Sequence, residues 1–182
     1  MPELTSQRDL FLHELGDILF VERKLAEEVL PKLIEEVEDK ELRRGLERHH
    51  TQTRQHVKNV EKAFKTIGEQ PEAEKCLGFE GLKAEHDELT REATGSLIDS
   101  IDTGAAARTE HYEIAAYSGL IAMARGLGEK DVVPLLQANL SQEREALREL
   151  EKVSRRLAKG NGANGRRGAG TTGRSRVAAA RR

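Results

Sequence analysis

Apolar residues recur at every third or fourth position along four long segments of the chain, the spacing that places them on one face of an α-helix. The first segment opens with Thr5 and Ser6, either of which is a good N-cap. Gly68, followed by Pro71, closes the second segment, and Gly128 closes the third. The pattern therefore predicts four long helices over about residues 5–39, 42–67, 97–127 and 133–157.

A shorter segment between the second and third helices is only weakly apolar. Residues 69–75 are predicted to form a loop, and a helix of about 15 residues is predicted to follow from Leu77. Its few apolar positions, Phe79, Leu82 and Leu89, favour a lid or crossover piece over a full member of the bundle. We therefore predict an all-α fold, an antiparallel four-helix bundle with an additional short helix between its two hairpins.

Polar residues interrupt each apolar stripe near its middle. Glu22 stands in the first stripe and Glu143 in the fourth, where leucines are expected. Glu110 and Glu113 share one face of the third helix, because residues three apart are neighbours on a helix. The middle of the second stripe carries His49, Thr53 and His56. A buried carboxylate is costly unless it is paired, protonated or bound to a metal, so these interruptions need an explanation.

The interruptions are predicted to face each other across the turn of the second hairpin. Residues equally far from a short turn lie at the same height in antiparallel helices. With the turn centred near Gly128, Glu113 lies fifteen residues before it and Glu143 fifteen after it. Each residue rises only about 1.5 Å along a helix, so the match survives an error of a few residues.

The first hairpin shows the same match. With its turn centred near Glu38, Glu22 lies sixteen residues before the turn. The nearest core-facing positions at the same height on the second helix are Thr53 and His56. Polar clusters at mid-height in both hairpins are expected where a bundle encloses a metal site.

Two interpretations of these glutamates remain open from the residues alone. A single glutamate in a leucine stripe is more often a boundary residue than a ligand, and a chain with 32 acidic residues places some by chance. A carboxylate-rich metal site is the alternative. Four glutamates with one or two histidines favour Fe or Mn over a metal that prefers thiolates.

Composition excludes several classes of protein. The net charge of −2 gives no general attraction to nucleic acid or membrane, and a single cysteine, Cys76, rules out an internal disulfide. No apolar run approaches the roughly 20 residues that a membrane-spanning helix needs. The N-terminal residues lack the character of a signal peptide. We therefore expect a cytoplasmic protein with no membrane association.

The last residues differ from the rest of the chain. From Lys159 to Arg182 there are seven basic residues, many glycines and no acidic residue. We predict a helical domain over residues 1–158 and a disordered basic tail over 159–182. The tail is expected either to bind DNA phosphates weakly and without sequence specificity, or to act only as a solubilising end.

Several motifs resemble a known family. They are His13-x3-Asp17-x4-Glu22, His49-x3-Thr53-x2-His56, Cys76-x3-Glu80-Gly81-Leu82 and Glu110-His-Tyr-Glu-Ile-Ala-Ala-Tyr117. Over about residues 7–157 the chain resembles the ferritin-like stress-protein family long catalogued as a domain of unknown function. The resemblance implies a ferritin-like bundle with a two-metal carboxylate site, often dimeric, and an association with bacterial stress.

The resemblance also implies a ligand set for two Fe or Mn ions. Its members would be Glu22, His49, His56, Glu110, Glu113 and Glu143. Two positions depart from the usual ferritin-like pattern of Glu-x-x-His. Thr53 stands three residues before His56, and Ala146 stands three residues after Glu143. His49 and Gln52 lie one turn along the helix and are the two candidates to substitute for the missing glutamate.

Two functions follow as expectations. The first is a di-iron or di-manganese protein that reacts with O2 or peroxide, as a ferroxidase or a peroxide scavenger, and forms a homodimer. The second is a structural or interaction protein with a degenerate metal site and no turnover. Three further histidines, His50, His86 and His111, are predicted to be solvated.

Overall fold

The computed structural model describes residues 4–168, with side chains described for residues 4–95 and 97–160. Within that range every regular element is helical. The elements are α1 (Gln7–Lys24), a π-helix (Leu25–Val29), α2 (Leu30–Glu36), α3 (Lys40–Thr66), α4 (Leu77–Glu92), a 3-10 turn (Gly95–Leu97), α5 (Ile98–Leu127) and α6 (Val133–Gly168). The predicted all-α bundle with an extra short helix is confirmed.

The helices form two antiparallel hairpins, one of α1–α2 with α3 and the other of α5 with α6. Helix α4 carries the chain along the outside, so that α5 starts beside the turn of the first hairpin. There the backbone N–H groups of Glu38 and Asp39 each donate to the Asp99 carboxylate over 2.9 Å. At the opposite end Arg8 bonds to Glu129 over 3.2 Å. Helices α1 and α5 are therefore antiparallel as well.

Local signals explain the helix ends. Ser6 caps α1 in a capping box with Asp9. The Ser6 hydroxyl accepts from the backbone N–H of Asp9, and the Asp9 carboxylate accepts from the backbone N–H of Ser6. Gly128 ends α5 with φ at 82°, a left-handed conformation that glycine adopts without steric cost. Both features agree with the predicted boundaries.

The π-helix of the first long helix is a feature that the apolar pattern did not predict. Leu30 N–H bonds to the carbonyl of Leu25, five residues back, and the following Pro31 has no N–H to donate. Pro31 therefore cannot donate to the Ala26 carbonyl. His50 takes its place, with Nε2 lying 2.9 Å from the Ala26 carbonyl oxygen. The wide turn shifts the buried stripe by one residue, so that Leu30 is buried and Val29 is only half-buried.

Helix α6 continues to Gly168, ten residues beyond the boundary predicted at residue 158. The rest of the predicted disordered tail, residues 169–182, lies outside the described residues, and its disorder stays a prediction. Among the helices of residues 4–168, none combines the length and apolar character needed to cross a membrane.

Candidate metal centre

The six residues predicted as ligands converge in the core at mid-height of the bundle. Glu22 comes from α1, His49 and His56 from α3, Glu110 and Glu113 from α5, and Glu143 from α6. All six are buried, and His49 is the most accessible of them at 6% exposure. The structure therefore brings the predicted residues together, while their role as metal ligands stays a prediction.

The ligand atoms form two groups, and one residue belongs to both. The first group is Glu22, His56 and Glu143, and the second is His49, Glu110, Glu113 and Glu143. Within each group all the ligand atoms lie within 4.8 Å of one another. Each group has one imidazole, and Glu143 stands between the two groups, where a carboxylate can bridge two ions.

The first group is held by contacts from four helices, α1, α3, α5 and α6. His56 Nδ1 lies 2.7 Å from Glu143 Oε1 and 3.3 Å from Glu22 Oε1. On the other side of the ring, His56 Nε2 lies 2.7 Å from Gln142 Oε1. Tyr117 donates its hydroxyl hydrogen to Glu22 Oε1. Such outer partners fix the orientation of an imidazole and a carboxylate before any ion binds.

The geometry of the second group accounts for the missing glutamate at position 53. His49 Nε2 lies 3.2 Å from Glu110 Oε1 and 3.8 Å from Glu143 Oε2. Thr53 stands where a glutamate is usual, but its hydroxyl donates to the His49 carbonyl over 2.9 Å. Thr53 thus supplies no ligand atom, and the second imidazole occupies the neighbouring position. The rings of His49 and His56 are 6.3 Å apart between centroids and belong to different groups.

Eight buried side-chain atoms of the six candidate ligands have no hydrogen-bond partner in the described chain. They are Glu22 Oε2, His49 Nδ1, His56 Nδ1, Glu110 Oε2, both oxygens of Glu113 and both oxygens of Glu143. The close contact between His56 and Glu143 is an ion-pair distance without hydrogen-bond geometry. Buried polar atoms are nearly always paired, so a cluster of unpaired oxygens fits residues arranged for cations.

Burial and mutual repulsion control the ionisation of three glutamates. Burial, with the neighbouring charge of Glu143, raises the pKa of Glu110 and of Glu113 well above the usual value. Burial also raises the pKa of Glu22, to about 6, although His56 partly offsets it. Without metal, the site therefore holds protons that two divalent ions would displace.

The remaining ligands form the charged part of the metal-free site. Burial alone would lower the pKa of His56, but the charges of Glu22 and Glu143 raise it to about 11. Burial would raise the pKa of Glu143, but His56 and His49 outweigh burial and lower it. Burial lowers the pKa of His49. A His56 cation paired with a Glu143 anion is thus the expected state at neutral pH.

Asn139 is a part of the site that the sequence analysis missed. Its side-chain amide donates to the Tyr117 hydroxyl over 2.9 Å and to the His56 carbonyl over 3.3 Å, and its oxygen accepts from Asn59. Asn139 precedes Glu143 by four residues, so it lies on the same helix face. This spacing in the sequence could have identified Asn139 as a residue of the site. The amide holds Tyr117 against Glu22.

Two predictions about the other histidines are wrong. His86 is buried, and its Nε2 lies 2.8 Å from Asp102 Oδ1, because α4 packs its inner face against α5. His50 is half-buried and bonded to the Ala26 carbonyl. His111 is exposed, as predicted.

Comparison with known proteins gives a family and a curated relative. The family model described as "Domain of unknown function (DUF892)" matches residues 6–161. The Escherichia coli (strain K12) protein YciF is 28% identical over 138 residues, which cover 75% of this chain and 82% of that protein.

Solved structures share the fold. YcfI from Rhodopseudomonas palustris, whose description proposes a structural role, has a TM-score of 0.79 and 34% identity over 82% of this chain and 96% of that one. The E. coli stress protein YciF has a TM-score of 0.79 and 25% identity over 86% of this chain and 99% of that one. A Xanthomonas campestris protein at 21% identity, covering 88% of this chain and 98% of that one, has a TM-score of 0.69 and supports the fold alone.

Proposed function

This chain belongs to the DUF892 family, and from that membership and its buried cluster we propose that it is a di-metal carboxylate protein holding two Fe or Mn ions. The observation that carries the proposal is the set of eight buried side-chain atoms of these residues without hydrogen-bond partners. Among these atoms, only His56 Nδ1 and Glu143 Oε1 form a close ion pair, and leaving the other atoms unpaired costs several kcal/mol, which a bound cation would recover. The relative YciF is described as a stress protein, and we extend a role in stress to this chain.

Charge and ligand type support two ions of this kind. The site has four carboxylates and two imidazoles, all buried. Four ionised carboxylates balance two divalent cations, so the loaded core would be close to neutral. Oxygen and imidazole ligands suit Fe and Mn, and Cys76, the single cysteine of the chain, is absent from both groups of ligand atoms.

The metal pair would supply redox chemistry with dioxygen or peroxide. As a ferroxidase the balance is 2 Fe²⁺ + O2 + 2 H⁺ → 2 Fe³⁺ + H2O2. As a peroxide scavenger it is 2 Fe²⁺ + H2O2 + 2 H⁺ → 2 Fe³⁺ + 2 H2O. The protein's part is to hold its ligands in place. Gln142 orients the His56 ring, while Tyr117 and Asn139 fix Glu22 on the opposite side.

Other features of the proposal come from the sequence. We expect a cytoplasmic homodimer, and we expect the basic tail to bind DNA weakly if it has a partner at all. A gel shift at low salt, with and without residues 160–182, tests the tail separately. Equal shifts from both proteins would rule out DNA binding by the tail.

Metal content tests the proposed function directly. The full-length chain is stripped with a chelator, reloaded without oxygen with Fe²⁺ or Mn²⁺, and analysed by plasma mass spectrometry and by anomalous scattering at both metal edges. We expect about two ions per chain, at the two groups that share Glu143. Negligible content of both metals, with no change in melting temperature on their addition, would contradict the proposal.

A structural protein without turnover is the second candidate. The ion pair of His56 with Glu143, and the bonds of Tyr117 to Glu22 and Asn139, give the metal-free core its own network across all four long helices. The description of YcfI points the same way. A metal-free chain that melts at the same temperature as the metal-treated chain would favour this candidate.

A further inference from the structure

An apolar cavity lies directly beside the second ligand group. Its walls come from the π-helix, α2, α3, α4 and α5, and include Leu25, Leu30, Leu33, Phe79, Leu82 and Ala106. His49, Glu110 and Glu113 line it from the metal side. Lys83 and His86 of α4 also line it, and the Lys83 side chain is 38% exposed. The cavity thus extends from the buried carboxylates to the partly exposed Lys83 on α4.

The size of the cavity limits what it can hold. Its volume is about 50 Å³. One water needs roughly 10–15 Å³ on this scale, so a molecule of a few atoms fits. Organic ligands commonly occupy pockets of about 300–1,000 Å³ and are excluded.

A second opening reaches His49 and Glu110 and has a more polar lining than the cavity. The groove between α3 and α6 has a volume of about 670 Å³, and His49, Gln52 and Glu110 lie in it. Charged side chains of both helices line it, among them Arg44, Arg48, Glu145 and Glu149. Hydrated ions and hydrogen peroxide keep polar partners along this groove. In the apolar cavity they would lose those partners at a cost of several kcal/mol.

We propose that the cavity beneath α4 is the passage through which dioxygen reaches Glu110 and Glu113, while metal ions and peroxide enter through the charged groove. Dioxygen is small, uncharged and apolar, so it enters the cavity without a desolvation cost. The inference rests on the proposed function, because it supplies the oxidant for that site. It also makes α4 the cover of the passage.

Noble-gas binding tests the cavity without any metal. Xenon is an apolar probe that occupies dry cavities in proteins. Crystals of the metal-free, full-length chain are pressurised with xenon, and we expect a xenon atom among Leu33, Phe79 and Ala106. Ala106→Leu places a larger side chain in the cavity and should abolish the peak. The matched control is Ala115→Leu, on an exposed position of the same helix.

Oxidation kinetics test the passage in the loaded protein. Ala106→Leu should slow Fe²⁺ oxidation by dioxygen about tenfold, while the rate with hydrogen peroxide changes less than about twofold. Leu82→Ala widens the cavity at α4 and should increase the rate of Fe²⁺ oxidation by dioxygen. It also keeps the inference testable if Ala106→Leu does not fold.

The outcomes separate this inference from the proposed function. A protein that binds two metal ions but shows no xenon in the cavity overturns the passage and leaves the function intact. Equal slowing of the dioxygen and peroxide reactions by Ala106→Leu also overturns it. Xenon in the cavity of a chain that takes up no Fe or Mn overturns the function, and with it the assignment of dioxygen.

Discussion

His56 and Glu143 meet at the centre of the bundle, with 2.7 Å between His56 Nδ1 and Glu143 Oε1, although they belong to different hairpins. Glu143 is also the residue that both ligand groups share. The contact therefore joins the two halves of the fold and the two halves of the site at one carboxylate.

Removal of the shared carboxylate should affect both ions. We expect Glu143→Gln to lower metal content at both positions, whereas Glu22→Gln should lower it only at the position of His56. Mutations of mere outer partners cost about 10–100-fold in metal affinity, so loss of a ligand should cost at least as much. Plasma mass spectrometry measures the ions per chain, and Glu47→Gln, at an exposed position of α3, is the control. Loss of one ion only from the Glu143 variant would argue against sharing.

Glu113 should destabilise the metal-free protein at neutral and alkaline pH. Its folded pKa is raised above its unfolded value, so its contribution to stability is complete below about pH 4.5 and is lost as pH rises through the raised pKa. We therefore expect Glu113→Gln to increase the free energy of unfolding by about 1–3 kcal/mol, more at pH 8 than at pH 5.

Urea unfolding with a chelator present, at both pH values, measures this change. The same substitution should remove the stabilisation that Fe²⁺ or Mn²⁺ gives to the parent chain. Glu47→Gln should leave both measurements unchanged. A metal-free Glu113→Gln protein that is less stable than the parent chain at pH 8 would show that the buried Glu113 carboxylate does not destabilise the fold.

The pair of His86 and Asp102 predicts a different pH dependence. The hydrogen bond to Asp102 raises the pKa of His86, although burial opposes the shift. The stability from His86 is therefore complete below about pH 6.5 and is lost as pH rises through the raised pKa. Asp102→Asn should cost about 1.5 kcal/mol near pH 6 and less near pH 9. An NMR titration should show a lower His86 pKa in the variant, and an unchanged value would contradict the pairing.

His50 should stabilise the wide turn beside Glu22. His50→Phe leaves the Ala26 carbonyl without its partner, because Leu30 N–H already bonds to Leu25 and Pro31 has no N–H. The expected cost is about 1–2 kcal/mol in the free energy of unfolding. In the double variant with Pro31→Ala the cost should shrink, because residue 31 then regains a donor. An equal loss of stability with Pro31 and with Pro31→Ala would contradict the role of His50 in stabilising the π-helix.

The apolar pattern was sufficient to predict the four long helices and the heights of Glu22, Glu113 and Glu143, because helix spacing and turn position are local properties. It could not predict how the hairpins face each other. The contact of His56 with Glu143 depends on the packing of α3 against α6. The burial of His86 depends on where α4 docks, and its sparse apolar positions did not specify that.

The π-helix is a one-residue insertion in the phase of the first long helix. A regular α-helix with the same number of residues would rotate everything after the π-helix by about 100° relative to Glu22. Either the carboxylate or the leucines of α2 would then leave the core. The wide turn therefore keeps Glu22 and the leucines of α2 on the same buried face, so the alignment of this half of the site depends on how the backbone is wound as well as on the side chains.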